Sequence, residues 1–257
     1  MRIPGGRLGE RWRGGWLGRW GSRWGSPWIR QWVTAASAPD CALCGAPGAI
    51  GGLCPPCLVE LPRLPQSICA RCAAPGPAGE ICGRCLVDPP AFDSVLPAAE
   101  YAFPVDAMIH RLKFSGALWI APVLANLLVE RVASVRRPDG LVPMPLSDRR
   151  LTERGFNQSG EIARLLSRQL GVVVRPNLLR RARDTRPQSG LSFAERALNV
   201  RGAFVVDRPV DGLHLALVDD VVTTGTTANE AARALRRCGA QRVDVWVIAR
   251  TLRMDGR

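Results

Sequence analysis

Leu215-Ala216-Leu217-Val218-Asp219-Asp220-Val221-Val222-Thr223-Thr224-Gly225-Thr226-Thr227 is the stretch that decides the fold of this chain. Its four leading apolar residues read as a buried parallel strand with two acids at its carboxyl end. A Thr/Gly turn then leads into a helix with Ala228, Ala231, Ala232 and Leu235 on one face. The helix is expected to stop near Cys238-Gly239 with Arg236 and Arg237 in its last turn, and residues 242–249 alternate toward another strand. Parallel α/β sheets bind ligands beyond the carboxyl ends of their strands, where this turn lies.

The residue types specify the ligand chemistry. Backbone N–H groups of Thr223, Thr224, Gly225, Thr226 and Thr227 at a helix amino terminus can wrap a phosphate monoester; the threonine hydroxyls add donors and Gly225 permits close approach. Asp219 and Asp220 repel that phosphate but accept hydrogen bonds from sugar hydroxyls or, less directly, hold hydrated magnesium. Neither GxxxxGK[ST] nor GxGxxG is present, so this is not a Walker loop or a Rossmann fingerprint. Acids and threonines merely capping a surface loop would not account for the strand before and the helix after.

The amino-terminal third carries a second signal. Cys41-Ala42-Leu43-Cys44 and Cys54-Pro55-Pro56-Cys57 recur 28 residues later as Cys69-Ala70-Arg71-Cys72 and Cys82-Gly83-Arg84-Cys85, with nine residues between pairs in both copies. Eight thiols make two four-ligand sites, and two CxxC turns close a tetrahedral shell around a structural Zn2+. The grouping is open at this point: 41/44 with 54/57 is simplest, but a crossed arrangement uses the same residues. A disulfide framework is disfavoured because pairing within CxxC is strained and no secretory signal precedes it. Thioredoxin-like chemistry needs one exposed pair on a βαβ unit rather than four in a Gly/Pro-rich tract.

The length, 257 residues, suits one α/β domain plus a small module held by metal. Positive charge comes from 34 Arg and one Lys, and the net charge of +13 favours polyanionic partners, nucleotide phosphates or nucleic acid. Residues 1–32 contribute +6 of it through seven Arg and one Glu. In the same stretch Trp12, Trp16, Trp20, Trp24, Trp28 and Trp32 recur every fourth position, but eight glycines oppose a stable helix. Residues 1–40 therefore read as a disordered or non-native extension, with Val33 as an alternative start. No apolar run is long enough for a membrane span and no signal peptide is evident, so a cytoplasmic location is expected. His110, His214 and Cys238 are isolated from partners in sequence and receive no role.

The DDVVTTGTT segment looks like the phosphoribosyl pyrophosphate (PRPP) loop of type I phosphoribosyltransferases. Two further stretches support it: residues 139–147 (DGLVPMPLS) with Arg154-Gly155-Phe156-Asn157-Gln158, and Arg186-Pro187-Gln188 through Arg196, Asn199 and Val200. With the paired CxxC module, and His110-Arg111-Leu112-Lys113-Phe114 before the core, residues 41–250 resemble the ComF family of competence-associated proteins. The resemblance implies an α/β fold, a type I phosphoribosyltransferase-like parallel sheet flanked by helices at residues 91–257, with a small N-terminal double zinc ribbon at 41–90. It implies PRPP binding by Asp219, Asp220, Thr223, Thr224, Gly225, Thr226 and Thr227. Pyrophosphate would fall to Met144, Pro145, Leu146, Ser147, Arg149 and Arg154, although Pro-Leu-Ser replaces the more glycine-rich turn frequent in related enzymes. Residues 177–190, with five Arg, would be a mobile loop closing over substrate.

Two functions follow as expectations. One is phosphoribosyl transfer with pyrophosphate release, PRPP arriving with Mg2+ and no protein nucleophile being required. The other is a non-enzymatic module of DNA uptake or recombination, binding single-stranded DNA or protein partners, with the phosphoribosyltransferase fold as a sensor or relic. Two Trp, one Tyr and six Phe after residue 40 offer little for base stacking, so such DNA binding would be mainly to phosphate.

Overall fold

The structure, a computed structural model, describes residues 40–76, 78–183 and 200–252. The Trp repeat, the Val33 start and residues 184–190 of the expected closing loop lie outside these. Four parallel strands form the central sheet: β1 (Ser94–Glu100), β2 (Gly140–Pro143), β5 (His214–Val222) and β6 (Arg242–Arg250), in the order β1-β6-β5-β2. A second, two-stranded antiparallel sheet pairs β3 (Leu179–Arg181) with β4 (Phe204–Val206). Residues 179–181 of the expected loop are thus strand.

β5 and β6 are the central pair and are covered on both faces. Val243 through Arg250 are all buried, so the residue-type alternation there marks two different packing faces, not a wet side and a dry one. One face of the sheet offers Ala216, Val218, Trp246 and Ile248, the other Leu215, Leu217, Val243, Val245 and Val247.

The first face receives three helices. In α3 (Val105–Phe114), Val105, Met108, Ile109 and Leu112 recur at i, i+3, i+4 and i+7, one buried stripe. α4 (Ala121–Val132) starts with Pro122 in its first turn, where a missing N–H costs nothing, and buries Val123, Leu124, Ala125, Leu128 and Val132. α6 (Gln158–Leu170) is capped by the Asn157 side chain, which accepts from the amides of Ser159 (3.0 Å) and Gly160 (3.3 Å), and it ends at Gly171. Helices this short are marginal alone, so their packing against the sheet holds them. The opposite face receives α7 (Thr226–Arg237), whose buried Ala228, Ala231, Ala232 and Ala234 allow close approach.

The cysteine-bearing segment wraps the β1 edge. Its first half, including the short helix α1 (Pro55–Val59), places Cys41, Ala49, Leu53 and Cys54 in the core that contains α3, α4 and α6. Its second half, with α2 (Gly83–Val87), puts Ala73 into the core under α7. Between them, the carbonyls of Pro62 and Arg71 accept from the amides of Glu100 (3.0 Å) and Val95 (2.8 Å) of β1. Pro97, which has no N–H to offer, sits between the two, as suits an edge.

At the amino-terminal end of the sheet His214 has a partner the sequence does not suggest. Its Nε2 lies 2.7 Å from the carboxylate of Asp244, which also meets Arg242 at 3.0 Å and accepts from Ser94 Oγ at 2.8 Å. Burial opposes ionisation of Asp244, but the bonds from Arg242, Ser94 and His214 outweigh it and hold the carboxyl below its usual range. This is packing chemistry, far from the carboxyl ends of the strands.

Candidate functional site

β2 and β5 are adjacent and parallel, with Pro143 opposite Val218, so the segments that follow them emerge side by side at the carboxyl end of the sheet. After β2 comes residues 144–147 and the short helix α5 (Asp148–Arg154). After β5 comes the Thr223–Gly225 turn and α7. Together with the start of α6 and the end of α3 they enclose a cleft of about 610 Å³.

Gly225 is the residue that lets the turn close. It caps α7 in the left-handed region at φ +81, where a side chain is strained. The Thr224 hydroxyl lies 2.7 Å from that of Thr226 and accepts from the Thr226 amide at 3.4 Å. Among the described residues, the amides of Thr223, Thr224 and Gly225 take no hydrogen-bond partner. Three open amides at the positive end of a 12-residue helix form an anion cradle.

The carboxylates beside it are held by other elements. Asp220 is buried and makes a 2.8 Å ion pair with Lys113 at the end of α3, while Gln158 Nε2 donates to its other oxygen at 2.8 Å. Asp219 accepts from Ser159 Oγ (3.1 Å) and from the Asp220 amide (2.9 Å). Burial first, and the charge of Asp220 second, push the Asp219 carboxyl up to about 7 against the opposing pull of Lys113. The Asp219 carboxyl therefore titrates near neutrality.

Asp219, Asp220, Thr223, Thr224, Gly225, Thr226 and Thr227 all line this cleft, as do Met144, Pro145, Leu146, Arg149 and Arg154. Ser147 does not: it is buried at the α5 amino terminus, its carbonyl accepting from Leu151. Arg149 pairs with Glu153 at 3.5 Å. Arg154 donates to Gln158 Oε1 (2.6 Å) and lies 5.4 Å over the Phe114 ring; burial lowers its guanidinium from the usual value, partly offset by Asp220. Arg150 also lines the cleft; sequence reasoning missed Lys113, Ser159, Tyr101, Phe114 and Arg181 as lining residues, and it is Asn157 that caps α6 while Gln158 reaches Asp220. The one available signal was Lys113, the sole lysine among 34 arginines.

The eight cysteines fall into the simpler of the two groupings. Sulfurs of Cys41, Cys44, Cys54 and Cys57, and those of Cys69, Cys72, Cys82 and Cys85, each lie within 4.8 Å of one another. Tetrahedral zinc with bonds of about 2.3 Å requires S···S edges of about 3.8 Å. Cys44–Cys54 and Cys72–Cys82 stand at 3.6 and 3.8 Å, so both sets fit the ion and neither is a disulfide. Burial works against ionising Cys41 and Cys69, yet amide donors, including those of Cys54 and Cys82, bring both thiols down to about 6, toward the thiolate a metal needs.

A parallel sheet flanked by helices, an anion cradle beside paired acids, and two four-cysteine knuckles define a phosphoribosyltransferase-type α/β protein with a double zinc ribbon. Residues 33–86 match the double zinc ribbon domain family, and residues 116–255, more than half of the chain, match the phosphoribosyl transferase domain family. The chain is 40% identical over 169 residues to the DNA utilization protein YhgH of Salmonella typhi, covering 63% of this chain and 74% of that protein. It is 35% identical over 170 residues to competence protein F of Haemophilus influenzae, with the same coverage, and 29% identical over 203 residues to competence protein ComFC of Bacillus subtilis (77% and 72%). Among solved structures, a B. subtilis glutamine PRPP amidotransferase complexed with ADP and GMP is 24% identical over 48% of this chain and 25% of that one, with a TM-score of 0.34. The chain belongs to the ComF family of phosphoribosyltransferase-domain proteins. No helix among the described residues is long and apolar enough to cross a membrane.

Proposed function

We propose that the chain binds PRPP or a 5′-phosphoribosyl nucleotide in the 610 Å³ cleft. The observation that carries this reading is the set of open amides at Thr223, Thr224 and Gly225, one turn from the Asp219–Asp220 pair. The cradle takes the 5′-phosphate and the carboxylates accept from the ribose hydroxyls. Arg149, Arg150 and Arg154 face the diphosphate, which brings Mg2+ as part of the substrate. In the transfer itself the C1–O bond to diphosphate breaks with its electron pair leaving on diphosphate, a nitrogen of the acceptor bonds to C1, and that nitrogen's proton passes to solvent. The protein contributes positioning and leaving-group stabilisation rather than a nucleophile.

The names of the relatives, DNA utilization and competence proteins, support a role in handling incoming DNA. A second reading, direct binding of single-stranded DNA without transfer, is favoured by the net charge of +13. Calorimetric titration with PRPP and Mg2+, followed by a pyrophosphate-release assay over purine and pyrimidine bases, separates the two. Saturable PRPP binding with base-dependent release supports transfer. DNA binding with no affinity for PRPP or any nucleoside 5′-monophosphate leaves the fold as a non-catalytic scaffold.

A further inference from the structure

Arg250, the last residue of β6, is 3% exposed, and among the described residues no carboxylate pairs with it. Its guanidinium is surrounded instead by main-chain oxygens. Nε donates to the carbonyl of Cys72 at 3.0 Å; Nη1 donates to the carbonyls of Val222 (3.2 Å), Thr223 and Thr251 (3.2 Å). Cys72 belongs to the second four-cysteine knuckle, and Val222 and Thr223 begin the phosphate turn. One side chain thus spans from the metal knuckle to the residues whose amides form the anion cradle.

The two knuckles are not equivalent in this respect. The first is tied to α4, through Asn126 donating to the Gly51 carbonyl at 3.0 Å and Val123 packed against Gly52. The second shares a cleft of about 500 Å³ with the turn, lined by Cys72, Cys82 and Cys85 on one side and by Thr224, Gly225 and Thr226 on the other. A zinc centre of four thiolates carries net negative charge, so it also supplies the counter-charge that buried Arg250 otherwise lacks.

We propose that Arg250 is a positioning residue that couples zinc in the Cys69/Cys72/Cys82/Cys85 knuckle to the shape of the 5′-phosphate turn, so that the second metal, and not the first, sets phosphate affinity. The proposal rests on the reading of that turn as the phosphate cradle. A planar fork is required for it: it reaches Cys72 through Nε while Nη1 holds Val222 and Thr223, a division a lysine ammonium cannot reproduce.

The test uses the full chain with Arg250→Lys, Cys82→Ser, Cys44→Ser and the Arg250→Lys/Cys82→Ser double variant. Zinc content is read by native mass spectrometry, ribose 5-phosphate affinity by calorimetry, and amide exchange at residues 223–227 by hydrogen–deuterium exchange. Arg250→Lys is expected to keep both zinc ions, to weaken ribose 5-phosphate at least tenfold and to speed exchange at 223–227. Cys82→Ser should lose one zinc and produce the same two effects, and the double variant should be no worse than either single one. Cys44→Ser should also lose one zinc, yet leave affinity within twofold and exchange at 223–227 unchanged. Wild-type exchange and affinity in Arg250→Lys, or equal damage from Cys44→Ser and Cys82→Ser, overturns the proposal. If wild-type protein binds no ribose 5-phosphate, the cradle reading fails instead, and the exchange data alone decide whether Arg250 transmits the metal's presence.

Discussion

At the scale of single residues, Asp219 sets the pH behaviour of the site. Its folded pKa near 7 lies far above that of a free carboxyl, about 4. A raised carboxyl favours the fold below the unfolded pKa, and that contribution is lost as pH rises through about 7. Ligand hydroxyls prefer the ionised form, so affinity for a ribonucleoside 5′-monophosphate should rise from pH 6 to pH 8. Asp219→Asn should flatten this slope to what the phosphate's own second ionisation, about 6, leaves, and weaken binding more than tenfold at pH 8, since a charged hydrogen bond is worth about 1.5–3 kcal/mol. Calorimetry at several pH values checks both. Lys113 acts on the same titration: it lowers the Asp219 pKa, so Lys113→Met should move the midpoint of the affinity profile upward while Lys113→Arg leaves it nearly in place. A midpoint unmoved by loss of the charge would show that the ion pair does not govern the site. Lys113 stood out in the sequence only as a lone lysine, because its partner Asp220 is 107 positions away and nothing local encodes their meeting.

At the scale of elements, the strand, turn and helix of residues 215–237 were legible because each is specified locally: an apolar run, a Gly at a left-handed position, an alanine-rich face. Gly225→Val tests the middle link. The backbone there has φ +81, and a Cβ at Gly225 would come within 3.7 Å of Phe92, so the branched side chain meets both strain and a neighbour. Ribose 5-phosphate binding should be lost while zinc content stays at two; retained affinity would mean the turn tolerates another conformation. The loop after β2 was less legible. Met144, Pro145 and Leu146 line the cleft, but Ser147 turns inward, because it serves as the amino-terminal cap position of α5 and its depth depends on packing below it. Asn157 and Gln158 look interchangeable in sequence, yet one caps α6 and the other reaches Asp220, a division set by the helix's rotation on the sheet.

At the scale of the whole molecule, cysteine spacing revealed two metal knuckles but not where they sit. The contacts that place them join residues 75 positions apart on the α4 side and 178 apart on the β6 side, and no periodicity in residues 41–85 encodes either. Gly225 and three of the second knuckle's cysteines line one cleft, so the phosphate turn and the ribbon adjoin although nothing in either local sequence pairs them. The segment joining the knuckles has a further consequence. The carbonyls of Pro62, in that segment, and of Arg71, inside the second knuckle, cover the outer edge of β1, and that cover has a four-cysteine knuckle at each end. A chelator that empties the knuckles would leave β1 as a bare template for another copy of the chain, with Pro97 as its main remaining guard. Metal-stripped protein is therefore expected to grow in light scattering with concentration and to recover on prompt addition of Zn2+, whereas a monodisperse stripped sample would mean the edge stays covered. On this view zinc is the chain's protection against its own sheet, and its loss would first be seen as turbidity.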